Sequence, residues 1–492
     1  MTVHEQSSRP KDVAASSGQL RKNALGTASI VFFVVAAASP LTGVAGGLPV
    51  SFGLGNGPGV AAMYGLAMIV LLVFSVGYAA MSRRMINAGA FYAYIGRGIG
   101  PWAGIMAAFV AMVSYLGMLI AVYALFGSST AGTIKEHFNI DVPWWVLSLA
   151  VLLIVAIFGH RQVDLSAKVL GLFMLTEVAA ILLIDGSILS QGGAAGINLD
   201  GFSWSSISEG APGVALLFGF ASFVGYEATA LYGEEVRDPK RTVARATYIA
   251  VLLIGLFYVF TTWSLSLGIG TDKVKEASLG ALQDNAGPAI LFGQAGQYVG
   301  SSMVNVLEVL LVTSLFAALV AFHSGISRYI FALSRERVFP PSLSETHSQH
   351  QSPHRASALT AAITAVVLIL AVVTGREPII EVFSWASGVG TLGVILLQAA
   401  TSLAVYRYFR KSPEGGKVWQ TQVAPLLALV GLLAATWLAV TNFSVLAGGS
   451  GMTSVLLMLI VPLTAAVGLA VAMSMRANDQ ELYRSVGADM VK

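Results

Sequence analysis

Cysteine is absent from this chain of 492 residues, and charged residues make up only 11% of it. Without cysteine there is no disulfide framework, no thiolate metal site and no cysteine nucleophile. Hydrophobic residues account for 56% of the chain, so the few charges present cannot cover a water-soluble domain of this size. The composition therefore predicts a protein that lies in a lipid bilayer.

Several motifs that carry catalysis are also missing. The patterns GxxxxGK[ST], HExxH and GxSxG do not occur, and no Ser/His/Asp grouping is suggested by spacing. Basic residues are confined to short segments between the apolar runs, which gives nucleic-acid binding no support. We therefore expect neither an enzyme nor a nucleic-acid-binding protein, and we predict no cofactor and no metal site.

Long apolar runs recur from Leu25 to the C-terminal region. A helix that crosses the hydrocarbon core needs about 20 mostly apolar residues, and the runs lack the period-two alternation of a membrane barrel. The sequence therefore predicts an all-α polytopic membrane protein with twelve transmembrane helices. The predicted spans are residues 25–53, 58–82, 100–127, 143–159, 166–190, 211–232, 244–268, 298–332, 357–374, 378–405, 421–443 and 452–475.

Lys and Arg residues are distributed unevenly between the two sides of these spans. With the N-terminus in the cytoplasm, 24 of the 28 fall on the cytoplasmic side, and the exceptions are Lys135, Lys273, Lys275 and Arg376. This asymmetry follows the positive-inside rule for an even number of helices. It predicts a multi-pass protein of the cell inner membrane with both termini cytoplasmic.

Two spans contain helix-breaking sequences near their middle. The first has Pro40, with Gly43 soon after, and the sixth has Gly219 and Gly225. They begin two sets of five spans of opposite orientation, which is typical of an inverted repeat with discontinuous helices. The predicted organisation is a cytoplasmic tail (1–24), a first five-helix repeat (25–190), an external loop (191–210), a second inverted repeat (211–405), helices 11 and 12 (406–475) and a cytoplasmic tail (476–492).

The two breaks are the predicted binding site. Interrupted backbone at membrane depth is tolerated only where it is buried in protein or lines a cavity. Half-helices that start at a break offer N–H groups to a carboxylate, and those that end there offer carbonyls to an ammonium. The alternative is that Pro40 only kinks a packed helix. The candidate substrate-binding residues are Ala38, Ser39, Pro40, Leu41, Thr42, Gly43, Phe220, Ala221, Ser222, Phe223 and Gly225.

Acidic residues within the spans are functional candidates, because a charge at the bilayer centre is costly. Glu177 and Glu227 are the predicted ion-coupling residues. The alternatives are an interhelical hydrogen bond for Glu177 and a local cap for Glu227. Asp185 is expected nearer the surface, and Glu308, near a span end, is expected to be solvated.

Three stretches carry a resemblance to a known family. They are Asn87-Ala88-Gly89-Ala90-Phe91-Tyr92-Ala93-Tyr94, then Phe223 to Glu227 continuing through Glu234-Glu235 and Asp238-Pro239-Lys240-Arg241, and Ser327 to Arg335 with Pro340. Together they resemble permeases of the amino acid-polyamine-organocation (APC) superfamily over about residues 20 to 410. The resemblance implies the leucine-transporter-like fold with a 5+5 inverted repeat, and proton-coupled uptake or exchange of amino acids, polyamines or related amines. It also implies that the unwound backbone around Ser39–Gly43 and Phe220–Gly225 holds the substrate.

Two places depart from the family pattern. Many members carry Gly-Ser-Gly-like residues at the first break, where this chain has Pro40-Leu41-Thr42-Gly43-Val44. Some members have a lysine in span five in place of a sodium ion, and Glu177 aligns there. A carboxylate at this place accepts the coupled proton, pairs with a cationic substrate or coordinates sodium. The resulting hypothesis is an alternating-access secondary transporter driven by the proton gradient, with sodium as the alternative ion and Phe220 as a gate. A solute-binding sensor on the same fold and a passive channel are the alternative functions. The sequence does not determine the exact substrate or whether the protein forms a homodimer.

Overall fold

The structure is a computed structural model that describes residues 27–85, 90–161, 167–227, 229, 239–347, 350, 352–411, 417–449 and 451–486. Three sequence predictions fall on other parts of the chain. The N-terminal tail, the Asn87–Gly89 end of the first motif and the charge cluster at Glu234, Glu235 and Asp238 lie outside the described residues.

Throughout this described part the secondary structure is helical, and no strand occurs in it. The α-helices, in chain order, are α1 (Thr27–Ala38), α2 (Pro40–Thr42), α3 (Leu48–Val50), α4 (Val60–Ser82), α5 (Ala90–Gly98), α6 (Pro101–Phe138), α7 (Trp144–Arg161), α8 (Ala167–Ser190), α9 (Trp204–Ser208), α10 (Pro212–Ala221), α11 (Pro239–Ile269), α12 (Val274–Gln283), α13 (Ala289–Tyr298), α14 (Ser301–Arg335), α15 (His354–Val373), α16 (Ser384–Lys411), α17 (Ala424–Leu446), α18 (Gly451–Asn478) and α19 (Gln480–Ser485).

Ten helical stretches among the described residues are long and apolar enough to cross a membrane. Their outward faces carry large apolar side chains; on α18, Met452, Leu456 and Leu463 are each exposed by 59% or more. Such surfaces are stable only against lipid. The fold is therefore that of a polytopic, all-helical membrane protein, as the sequence predicts.

The third predicted span, residues 100–127, is too short. Helix α6 continues to Phe138, and it ends where Asn139 adopts a left-handed conformation with φ 54° and donates its N–H to the Lys135 carbonyl. Asparagine is one of the few residues that commonly take this cap conformation. The sequence boundary followed the loss of apolar residues, whereas the helix ends at its C-cap.

The interrupted segments lie in the interior of the helix bundle. Helix α6 packs against α5, α14, α16 and α18, and α4 packs against α11. Between α1 and α4 the chain forms short helical turns, including π-helical turns at Gly43–Gly47 and Ser51–Asn56. Helix α10 contacts both of these turns. The segments around the two predicted breaks therefore touch each other.

Candidate functional site

The first interruption is centred on Ser39. Helix α1 ends at Ala38, Ser39 has the left-handed backbone angles φ 45° and ψ 72°, and helical geometry resumes at Pro40. Proline disfavours the α conformation in the residue before it, and a left-handed conformation is unfavourable for a residue with a Cβ. The Ser-Pro pair therefore breaks the helix at the place predicted from the sequence.

A chain of hydroxyl groups runs from this break to a buried carboxyl group. The Ser39 hydroxyl lies 2.8 Å from Thr42 Oγ1 and 2.9 Å from Ser314 Oγ on α14. Ser314 in turn donates a 3.0 Å hydrogen bond to Glu177 Oε2 on α8, and the Leu41 backbone lies near the same carboxyl group. The structure therefore brings Glu177 to the first break, where Ser39 and Thr42 belong to the same chain of hydroxyl groups.

Glu177 has no basic partner within the described part of the chain. Its side chain is only 3% exposed, and the ion pairs found there join other carboxylates to Lys, Arg or His. A buried carboxylate needs hydrogen bonds or a cation to offset the loss of water. Hydroxyl oxygens and a carboxylate arranged in this way suit a bound proton, a substrate ammonium or a small cation.

The second interruption follows Ala221. Ser222 to Gly225 form turns with hydrogen bonds from Phe223 N to Phe220 O and from Val224 N to Ala221 O, each 3.1 Å long. Gly225 has φ 108°, a conformation that L side chains rarely adopt. Phe220 and Phe223 are buried, with exposures of 3% and 0%. Both aromatic rings therefore belong to the interior around the break.

Glu227 caps this second break. Its Oε2 accepts a 3.0 Å hydrogen bond from the Gly225 N–H, and its Oε1 accepts one of 2.7 Å from the Tyr115 hydroxyl on α6. The Tyr78 hydroxyl donates to the Glu227 backbone carbonyl at 2.9 Å. Both carboxylate oxygens are thus engaged, which is the local-cap alternative considered from the sequence.

Two tyrosines join the breaks. The Tyr258 hydroxyl on α11 donates to the Pro40 carbonyl at 3.3 Å, and its ring centroid lies 5.8 Å from that of Tyr64 on α4. The Ser222 hydroxyl, which donates a 3.0 Å hydrogen bond to the Phe218 carbonyl, lies near both tyrosines. A Cβ placed on Gly47 would lie 4.0 Å from Ser222 Oγ. Backbone from both breaks therefore surrounds one polar junction.

Sequence reasoning missed four residues of this junction, namely Tyr64, Tyr115, Tyr258 and Ser314. Each is a polar side chain within an apolar helix, which is the signal that was available. It also misjudged Glu308, and it did not predict that Asp185 is fully buried among the helices. Glu308 is 3% exposed and lies 2.6 Å from His137, because the extension of α6 to Phe138 carries His137 over it.

An apolar groove of about 420 Å³ lies apart from the junction, between α6, α7, α8 and α14. None of the predicted site residues lines it. Within the junction, the side chains of Ser39, Tyr64, Ser222, Tyr258 and Ser314 are buried.

The fold and the site together define an integral membrane protein with a polar site between two interrupted helices. The chain belongs to the amino acid permease family, whose pattern it matches over residues 25–467. This match confirms the resemblance to the APC superfamily that the three sequence stretches carry.

Several characterised permeases are similar to the chain. The low-affinity putrescine importer PlaP of Escherichia coli K12 is 25% identical over 317 residues, 62% of this chain and 66% of that protein. The γ-aminobutyric acid permease of Bacillus subtilis is 30% identical over 213 residues, 42% of this chain and 44% of that protein. The branched-chain amino acid permease BcaP of Lactococcus lactis is 24% identical over 418 residues, 77% and 82% of the two chains.

Proposed function

We propose that this protein is a secondary active transporter that moves an amino acid or a related amine across the inner membrane by alternating access. The observation that carries the proposal is the buried junction between the breaks at Ser39 and at Ser222–Gly225, with Glu177 linked to the first through the Ser314 hydroxyl. A buried polar site between two interrupted helices suits a carrier that opens to one side at a time better than a channel. The proposal includes twelve crossings in two inverted repeats, with both termini in the cytoplasm.

The substrate in this proposal carries an ammonium group. Helices α1 and α10 end at Ala38 and Ala221, so each presents its carbonyl end at a break. The carboxyl group of Glu177 lies beside the first break and adds to this preference for a cation. Putrescine, γ-aminobutyric acid and branched-chain amino acids, which the relatives are named for, all contain an amino group.

The coupling ion in this proposal is the proton, and Glu177 carries it. Glu177 has no basic partner in the described part of the chain, whereas both oxygens of Glu227 are held by Tyr115 and Gly225. A proton removes the charge of Glu177 while the helices around it rearrange. Sodium is the alternative, because the hydroxyls of Ser39, Thr42 and Ser314 supply further oxygen ligands. In this proposal Glu227 does not carry the coupling ion and instead stabilises the second break.

The first experiment is thermal stabilisation of the detergent-purified protein by putrescine, γ-aminobutyric acid, leucine and ethanolamine. A ligand that binds only the folded state stabilises it by about 2.7 kcal/mol at a hundredfold excess over its Kd. Uptake of each stabilising compound into proteoliposomes then follows, with an inward proton gradient and with sodium replaced by choline. Accumulation driven by protons without sodium supports the proposal, and a strict need for sodium would replace the proton by sodium.

A solute-binding sensor on the same fold is the second candidate. It predicts stabilisation by a solute without net uptake and without counterflow, which is exchange of labelled external solute for unlabelled internal solute. A passive channel predicts equilibration without accumulation. Either result would reject the transporter.

A further inference from the structure

Asp185 is a buried acid that the proposed site does not use. It lies on α8, and its side chain is 0% exposed. Thr261 on α11 donates a 2.7 Å hydrogen bond to Oδ2, and Ser264 donates to the Asp185 backbone carbonyl at 3.3 Å. The other carboxylate oxygen, Oδ1, has no hydrogen-bond partner. A buried carboxylate with one empty oxygen is unstable as an anion unless something binds it.

Polar residues connect Asp185 with the first break along one face of α11. Tyr258, Thr261, Ser264 and Gly268 follow each other at intervals of three or four residues, so they lie on one side of the helix. Tyr258 reaches the Pro40 carbonyl at one end of this face. Asp185 itself lies eight residues from Glu177 along α8, or about 12 Å at 1.5 Å per residue.

The other end of this face leads toward the predicted external side. The Gly268 carbonyl accepts a 3.0 Å hydrogen bond from the Tyr298 hydroxyl on α13. Gln294, also on α13, packs against Gly268 and is 7% exposed, and its Oε1 has no hydrogen-bond partner. Two unpartnered buried oxygens, Asp185 Oδ1 and Gln294 Oε1, therefore lie along the same interface.

Titratable groups on the packed elements do not neutralise Asp185. Helices α1 and α2 contain none, and α13 contains Tyr298. Helix α11 contains Tyr258 close to Thr261, whereas its Lys240, Arg241, Arg245 and Tyr248 all lie 13 or more residues before Thr261. On α14, Glu308 lies toward the same end of the bundle as Asp185 and is paired with His137. On α8 itself the other acid is Glu177. No ion pair to Asp185 exists within the described residues. No basic side chain therefore competes with a proton for the Asp185 carboxylate.

We propose that Asp185 is a second proton-binding site, which takes a proton from the external side and passes it to Glu177. This inference rests on the proposed proton coupling. The proton adds to Oδ1 and makes Asp185 neutral. It then leaves along the Thr261–Tyr258 face to the carboxylate of Glu177, which restores the Asp185 anion. Glu177 completes the cycle by releasing the proton to the cytoplasm.

The test compares Asp185→Asn with wild type in proteoliposomes held at zero membrane potential. With one coupled proton, a gradient of one pH unit sustains about tenfold accumulation of putrescine. We expect Asp185→Asn to reach only equilibration, with unchanged counterflow and unchanged putrescine affinity, because the junction between the breaks is intact. Asp200→Asn, at an exposed acid in the predicted external loop, is the control and should behave as wild type. Thr261→Val should slow proton-driven uptake and keep the final accumulation.

Each outcome decides the inference. Wild-type accumulation by Asp185→Asn would show that Asp185 is a structural acid only. Absence of proton-driven accumulation in wild type itself would reject the proposed proton coupling, and this inference with it. The two failures are thus distinguishable.

A measurement on wild-type protein covers the case in which Asp185→Asn does not fold. Of the six described aspartates, 141, 200, 272, 284 and 479 are exposed and only 185 is buried. Infrared spectra of protein labelled with ¹³C-aspartate should show the carbonyl band of a buried, protonated carboxyl group as the pH is lowered. A spectrum without that band at any pH would overturn the proposal.

Discussion

Ser314 on α14 donates a 3.0 Å hydrogen bond to Glu177 on α8, and its hydroxyl lies 2.9 Å from that of Ser39 at the first helix break. Three elements that are far apart in the sequence thus share one buried contact. A change in the charge of Glu177 can therefore act on Ser39 through the Ser314 hydroxyl group. This contact is the structural basis for coupling an ion to the movement of the first interrupted helix.

The first prediction concerns Pro40. Pro40→Ala removes the restraint on Ser39, so Ser39 can return to the helical conformation and α1 can continue through the break. We expect transport to fall by at least tenfold, while the protein remains folded. Initial uptake rates in proteoliposomes, normalised to protein content, measure this effect.

The control for this variant is Pro462→Ala. Pro462 also lies inside a helix, α18, but it is exposed and outside the predicted repeats. Its replacement should leave transport unchanged. Equal loss in both variants would mean that Pro40 acts as an ordinary helix kink.

The second prediction concerns Gly43. A methyl group at this position would overlap the Tyr258 hydroxyl, which binds the Pro40 carbonyl. Gly43→Ala should therefore displace Tyr258 and weaken substrate binding. We expect a higher substrate concentration for half-maximal counterflow. The double variant Gly43→Ala/Tyr258→Phe removes the overlapping oxygen and should recover part of the affinity.

The third prediction concerns the cap on the second break. Tyr115→Phe removes the 2.7 Å hydrogen bond to Glu227 and leaves a buried carboxylate oxygen without that donor. The loss of a hydrogen bond to a charged group destabilises a protein by about 1.5–3 kcal/mol. A lower melting temperature in detergent is the expected result.

Tyr123→Phe is the matched control for this third prediction. Tyr123 lies on the same helix, is fully buried and has a hydroxyl group without a partner. Its replacement should leave the melting temperature unchanged or raise it. Equal melting temperatures for Tyr115→Phe and wild type would show that Glu227 does not depend on Tyr115.

The breaks could be predicted from the sequence because their causes are local. Pro40 disfavours the helical conformation at Ser39, and Gly225 supplies the positive φ that the second break needs. The partners of the breaks could not be predicted, because their contacts join distant parts of the chain. Ser314 is 275 residues from Ser39, and Tyr258 is 218 residues from Pro40.

The burial of acids depends on neighbours that lie elsewhere in the chain. Asp185 lies near the end of a predicted span, where the sequence places it nearer the membrane surface. Its burial comes from Thr261 and Ser264 of α11, which cover it. Glu308 seemed solvated because the sequence ended the third span before His137. Apolar length locates a helix in the membrane, whereas only the packing of helices decides which acids meet water.

The measurement that tests the central claim most directly is proton-driven uptake by Glu177→Gln. Glutamine keeps the size of the side chain and can still accept from Ser314, but it cannot bind and release a proton at neutral pH. In proteoliposomes with an inward proton gradient, wild type should accumulate the amine, and uptake should rise as the external pH falls. Glu177→Gln should equilibrate the amine without accumulation and without dependence on pH. Accumulation by Glu177→Gln with the pH dependence of wild type would contradict the account.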